Sequence, residues 1–391
     1  MRLAAILGAA SISGLVAVWF AGVAGAQGSH HESHFAGLAI SAQDLAASIA
    51  HGTAQGAAVF LAGLVAFVAL VWLPSSRAEQ ADQERVVGLF RRWMWVLVGL
   101  LVFAGMAELP LYAVRASGEV LSFGLLREAL FDTHVGQLWI ERVVFGLLTV
   151  TAATYAAQLR RPVYWLGATV LGVLLLMTLS QQSHAAAEES LLPFAADWLH
   201  LMAASLWMGG LLGFPILLIG ALRTMPAEAR AKLLGRTVRR FSKVATIPVM
   251  VLIATGLYAA LLHIPSLSAL FSTPYGRALS MKLGLLIFLL ALGAQNLRLR
   301  GKGPFDRLVG AELVLTIGIF VATGFLTSLP PADVYQQQIV EQTILNPTQD
   351  VRQPPKPPPA LLNASVARSQ PEEIQRYLIT VRENGEYPSL P

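Results

Sequence analysis

The sequence predicts an all-α polytopic membrane protein: eight transmembrane helices after a signal peptide, built as two tandem four-helix repeats in parallel orientation. Three observations carry this. Of 391 residues, 55% are hydrophobic and 13% charged, about half the charged share of a soluble domain; mean hydropathy is +0.59. Eight apolar stretches follow one another, each close to the roughly 20 residues that cross a bilayer core. Lys and Arg then alternate between the links. These features exclude a water-soluble enzyme, a disordered chain and a disulfide scaffold.

Residues 1–26 read as a signal peptide. Arg2 starts it, Leu3 to Phe20 is apolar, and Ala24-Gly25-Ala26 is a small-x-small cleavage signal. Residues 27–45 form an outer tail holding His30, His31 and His34. The spans fall near 46–73, 93–114, 136–158 and 162–181 in a first repeat (46–182). They continue near 197–222, 244–263, 278–296 and 306–328 in a second (183–329). None alternates as a barrel strand does. The odd links hold 17 Lys and Arg, and the even links only Arg115, Arg127 and Arg277. The positive-inside rule places the odd links in the cytoplasm and both mature ends outside, in a bacterial periplasm. Residues 330–391 are a tail with a stiff Pro354–Pro359 run and a short helix expected between Pro371 and Tyr387.

The repeat rests on three matches. Leu130-Phe131-Asp132-Thr133-His134-Val135-Gly136 opens the third span, and Leu270-Phe271-Ser272-Thr273-Pro274-Tyr275-Gly276 opens the seventh. Six residues further on, Arg142 faces Lys282. Arg91-Arg92-Trp93 echoes Arg239-Arg240-Phe241, and His51 falls opposite His200. An even number of helices per unit relates the halves by an axis along the membrane normal. Gly52–Gly56 and Gly209–Gly213 are spacings suited to close helix contact.

On this topology all eight histidines lie outside or at outer helix ends. His184 and His200 flank a short acidic outer link, with Glu188 and Glu189. Met177, Gln181 and His184 share one helix face; His200, Ala204 and Met208 share another. Each Met lies about 10–12 Å below its histidine. Imidazole with thioether is a ligand set suited to copper, and thioether favours Cu(I). His51 is the partner expected through the repeat, and His134 is a weaker candidate. The His30/His31/His34 tail suits loose capture of Cu(II). Copper is thus the expected ion, carried or bound.

Charges inside spans are costly and face protein or water. Glu108 or Glu141 is expected to neutralise Arg142, and Glu108 is a candidate ion-pathway residue. Lys282 and Glu312 are expected to snorkel to the interface. There is no cysteine, so thiolate zinc, iron–sulfur and Cys-attached haem chemistry are absent. No zinc-protease, P-loop, nucleophile-elbow or dinucleotide motif is present, so an enzyme is not expected. Nothing points to nucleic acid; the expected surroundings are the lipid bilayer.

Three segments resemble the copper resistance protein D (CopD) family. They are Asp197-Trp198-Leu199-His200 through Leu211, Arg240-Phe241-Ser242-Lys243 with Thr255-Gly256-Leu257-Tyr258, and Thr273-Pro274-Tyr275-Gly276 through Gly284. The likeness is strongest over 180–330. It carries His200 most directly and then His184, although Ser183 stands where Gly is expected. The resemblance implies an inner-membrane protein that moves copper toward the cytoplasm beside a periplasmic copper-binding protein. Two alternatives stay open: a copper-delivery factor without transport, and a b-type cytochrome with axial histidines.

Overall fold

Each apolar stretch folds as a helix, because backbone groups in lipid must be satisfied within their own segment. The computed structural model describes residues 42–76, 80–159, 161–183, 191–219, 225–299, 305–329 and 331–337. The expected signal peptide, the tail with His30, His31 and His34, residue His184 and most of the C-terminal tail lie outside the described residues.

Helix α1 (Ala42–Phe67) continues through a π turn (Val68–Trp72) into one more α turn (Leu73–Ser75). Next come α2 (Gln80–Ser117), α3 (Phe123–Phe131), α4 (His134–Leu159) and α5 (Pro162–Ser180). The second half holds α6 (Leu191–Ile219), α7 (Ala227–His263), α8 (Ala269–Ser272), α9 (Pro274–Leu299) and α10 (Phe305–Ser328). Eight of these are long and apolar enough to cross a membrane. The protein is a multi-pass membrane protein with no strand among the described residues.

Two helices run well past their apolar cores. The apolar reading starts them at 93 and 244, whereas α2 begins at Gln80 and α7 at Ala227. Their 38 and 37 residues span about 55 Å, against about 30 Å of hydrocarbon. The added turns carry Arg85, Arg91 and Arg92 on α2, and Arg230, Lys232, Arg236, Arg239 and Arg240 on α7. Ala, Leu, Arg and Lys are good helix formers, so propensity extends what hydropathy alone ends.

Helix α1 is the centre. Its apolar window is 78% buried, against 17% for both α7 and α9, which therefore line the periphery. It packs on α2, α5, α6 and α10. Glycine makes two of these contacts possible. A Cβ on Gly209 of α6 would overlap the Gly63 carbonyl of α1, and one on Gly63 would overlap Ser205. Higher up, a Cβ on Gly324 of α10 would overlap the Ser48 carbonyl, and Gly52 faces it. Gly213 meets the Phe67 ring. Small residues thus set the helix spacing, as dispersion-driven packing in lipid requires.

The Leu-Phe-x-Thr segments differ from expectation in detail. Leu130-Phe131 and Leu270-Phe271 do not open spans; they lie in the short helices α3 and α8. The following Thr caps the span. Thr133 Oγ1 accepts from Gly136 N at 3.0 Å while donating to Ala129 O at 2.5 Å. Thr273 Oγ1 accepts from Gly276 N at 3.0 Å and donates to Ala269 O at 2.7 Å. Both glycines sit where a Cβ would strike the short helix's carbonyl at Ala129 or Ala269.

Candidate functional site

Alternating helix direction brings the starts of α1, α4, α6 and α9 and the ends of α2, α5 and α7 to one face of the bundle. The polar residues of the spans gather there in two clusters.

The first is built on Glu108 of α2, two residues before the in-helix Pro110. Its Oε1 lies 2.8 Å from His51 Nδ1 on α1. Gln182 Nε2, just past α5, donates to the same oxygen at 3.3 Å. Arg142 Nη1 on α4 sits 3.9 Å from Oε2. Arg142 also donates through Nη2 to Gln182 Oε1 at 2.6 Å and to the Thr178 carbonyl at 3.3 Å. Its side chain is 2% exposed and that of Glu108 12%. A charge this deep persists only when paired and hydrogen-bonded. Glu108 is therefore the counter-ion of Arg142; Glu141 is exposed and takes no part. His51 keeps 22% of its side-chain surface open.

The second cluster is built on His200 of α6. Its Nδ1 lies 2.9 Å from Thr255 Oγ1 on α7. Gly256 leaves room for the ring: a Cβ there would sit 3.4 Å from His200 Cε1. Lys282 of α9 lies within electrostatic reach of both His200 and Asp197. Asp197 is one turn before His200, and its buried Oδ2 has no hydrogen-bond partner among the described residues. Trp198 Nε1 donates to Val173 O at 3.2 Å, which ties α6 to α5.

The expected candidates are placed as follows. His51 and Glu108 meet; His200 joins a separate polar cluster. Met208 is buried in the main apolar core and 4% exposed. Met177 is half-buried on α5, and His134 is exposed at the start of α4. Among the described residues no three His, Asp or Glu side chains converge as a ready metal cage. The snorkelling expectation fails for Glu312, which is 4% exposed, and Lys282 lies half-buried beside Asp197. Sequence reasoning gave no role to Gln182, Thr178, Thr255 or Asp197. Two of them carried a signal: Asp197 shares a helix face with His200 at i, i+3, and Thr255 stands in one of the segments that resemble the family.

Two family models match successive segments. The copper resistance protein D-like N-terminal domain matches residues 41–194, and copper resistance protein D matches residues 235–326. The chain belongs to the CopD family. The N-terminal segment contains the whole Glu108 cluster; Thr255 and Lys282 lie in the second, and Asp197 and His200 fall between the two. The CopD-family chain is 30% identical over 310 residues to the copper transport protein CutJ of Bacillus subtilis (strain 168), covering 74% of this chain and 56% of that protein. It is 28% identical over 208 residues to copper resistance protein D of Pseudomonas syringae pv. tomato, covering 51% of this chain and 65% of that protein. The match thus spans less than two thirds of either relative. No solved structure matches the chain.

Proposed function

We propose that this chain handles copper by carrying the ion across the inner membrane, from the periplasm toward the cytoplasm. The observation that carries the reading is the pair His51 and His200. Each is partly buried near the start of the first helix of its half, on the same face of the bundle, and each is held by a polar side chain. Imidazole is a ligand for copper in either oxidation state, and no thiol competes. The relatives named for copper transport and copper resistance support the choice of ion. The alternation of basic links supports a periplasmic His face and periplasmic termini.

In this reading His30, His31 and His34 capture the ion outside, and His184, next to Ser183 in the chain, hands it to His51 and His200. His134 stands at the rim. Met177 and Met208 supply thioether deeper in the bilayer. Arg142 and Lys282 keep the site from holding the cation too tightly, because like charge nearby weakens binding. A periplasmic copper-binding protein is the donor.

Uptake of radioactive copper into proteoliposomes tests this. Wild type should accumulate copper and His200→Ala should not, with both proteins equally folded. Copper bound without accumulation would support a second reading, a delivery factor that faces the periplasm. One observation favours that alternative: below Gln55, whose Oε1 is buried, the core-facing residues of the first span from Ala57 to Val71 are buried and apolar. A Soret band in the purified protein would overturn both.

A further inference from the structure

The two histidines share a feature that hydrogen-bond bookkeeping reveals. A neutral imidazole carries one proton, and its tautomer follows from the partner of each ring nitrogen.

At His200 the partner is Thr255 Oγ1. That hydroxyl has a single hydrogen, and it lies 2.7 Å from the Val251 carbonyl. A carbonyl can only accept, so the Thr255 hydrogen goes there. His200 Nδ1 must then be the donor across its 2.9 Å contact. At His51 the partner is Glu108 Oε1. Arg142 Nη2 can only donate and meets Gln182 Oε1 at 2.6 Å. This fixes the Gln182 amide with Nε2 toward Glu108. Glu108 Oε1 therefore accepts twice, once from Gln182 and once from His51 Nδ1. Two unlike partners, a threonine on α7 and a glutamate on α2, give the same result. In both rings Nδ1 holds the proton, no side-chain partner of either Nε2 is found among the described residues, and the Leu252 carbonyl also lies within reach of the His200 ring.

We propose that Glu108 and Thr255 are positioning residues: each locks the histidine beside it as the Nδ1–H tautomer, so that His51 and His200 both offer Nε2 as the copper-ligating atom. This rests on the copper reading above. A ligating histidine whose other nitrogen donates to a carboxylate or other acceptor is oriented and made more basic, and losing that support costs about 10- to 100-fold in affinity. The two stations are chemically unequal. Glu108 is anionic and Thr255 neutral, so His51 is the stronger electron donor of the pair.

The test uses the full chain in lipid nanodiscs. Nitrogen-15 histidine spectra of the copper-free protein, assigned with His51→Gln and His200→Gln, read the tautomers directly. Nδ1–H signals for both residues are expected; an Nε2–H signal from either overturns the proposal for that site, whatever the protein does with copper. Competition for Cu(I) against a chromophoric chelator reads the consequence. In a His51→Ala background, Thr255→Val should lower affinity by about 10- to 100-fold and Thr255→Ser should restore it. In a His200→Ala background, Glu108→Gln keeps an acceptor oxygen but loses the charge, so it should keep the tautomer and weaken binding. Unchanged affinity in Thr255→Val, with His200→Ala in the same assay defective, overturns the positioning role. No Cu(I) binding by wild type in the chelator assay overturns the copper reading instead, and the spectra still decide the tautomers.

Discussion

The half from α1 to α5 seals its polar cluster with a bonded carboxylate, whereas the half from α6 to α10 leaves its carboxylate beside the histidine. In the first, Glu108 touches His51, Gln182 and Arg142 together. In the second, His200 bonds a hydroxyl, and the Asp197 carboxylate one turn away keeps a buried oxygen without a hydrogen-bond partner among the described residues. Packing differs in the same sense: α2 and α4 lie against each other, while α7 and α9 scarcely touch. A histidine, an acid and a base meet in each cluster, but the acid sits on the second helix in one and the first helix in the other. Burial dictates this. Arg142 is 2% exposed and needs an acid within its own half; Lys282 is only half-buried and tolerates a looser arrangement.

The largest effect should come from the seam that joins the halves. Gly209→Leu would drive a side chain into the Gly63 backbone and should abolish monodisperse protein in size-exclusion chromatography. Gly284→Leu, at a position facing open space, should elute as wild type. Next, Arg142→Leu strands Glu108 and should cost about 3–5 kcal/mol, read as lost thermal stability in detergent. Lys282→Leu should cost clearly less, and equal losses would break the contrast drawn between the halves. Thr133→Val and Thr273→Val should each cost about 1 kcal/mol by removing a helix cap. Matching values in chemical unfolding would sharpen the comparison, since the two caps are bonded alike. The smallest change is Met208→Leu. It conserves volume and should cost under about 1.5 kcal/mol, so a fall in copper uptake with the protein still folded would isolate the thioether.

Much of this was legible from the chain. Eight spans could be read because lipid demands long apolar runs, and the described helices overlap all eight. Glu108 as the partner of Arg142 could be read as one of two choices. The helix extensions could not, because α7 before residue 244 is too charged for a hydropathy signal although it favours helix. Nor could Gln182 be singled out, and Thr255 stood out only as part of a family-like segment. Gln and Thr are common and uncharged, and only three-dimensional placement against Arg142 or His200 gives them a task. Glu312 misled for the opposite reason. Charge in a span predicts a route to water, yet this one is covered by packing.

The Gly63–Gly209 crossing also sets how the molecule can flex. Backbone meets backbone there with no side chain between, so the contact acts as a fulcrum with little give. His51 stands 12 residues up α1 from it and His200 nine residues up α6, lever arms of about 18 and 14 Å. A scissoring of about 5° at the fulcrum moves the two imidazoles by about 1.6 and 1.2 Å over those arms, comparable to the difference between a formed and a broken metal bond. Rigidity at the midpoint thus becomes leverage at the rim.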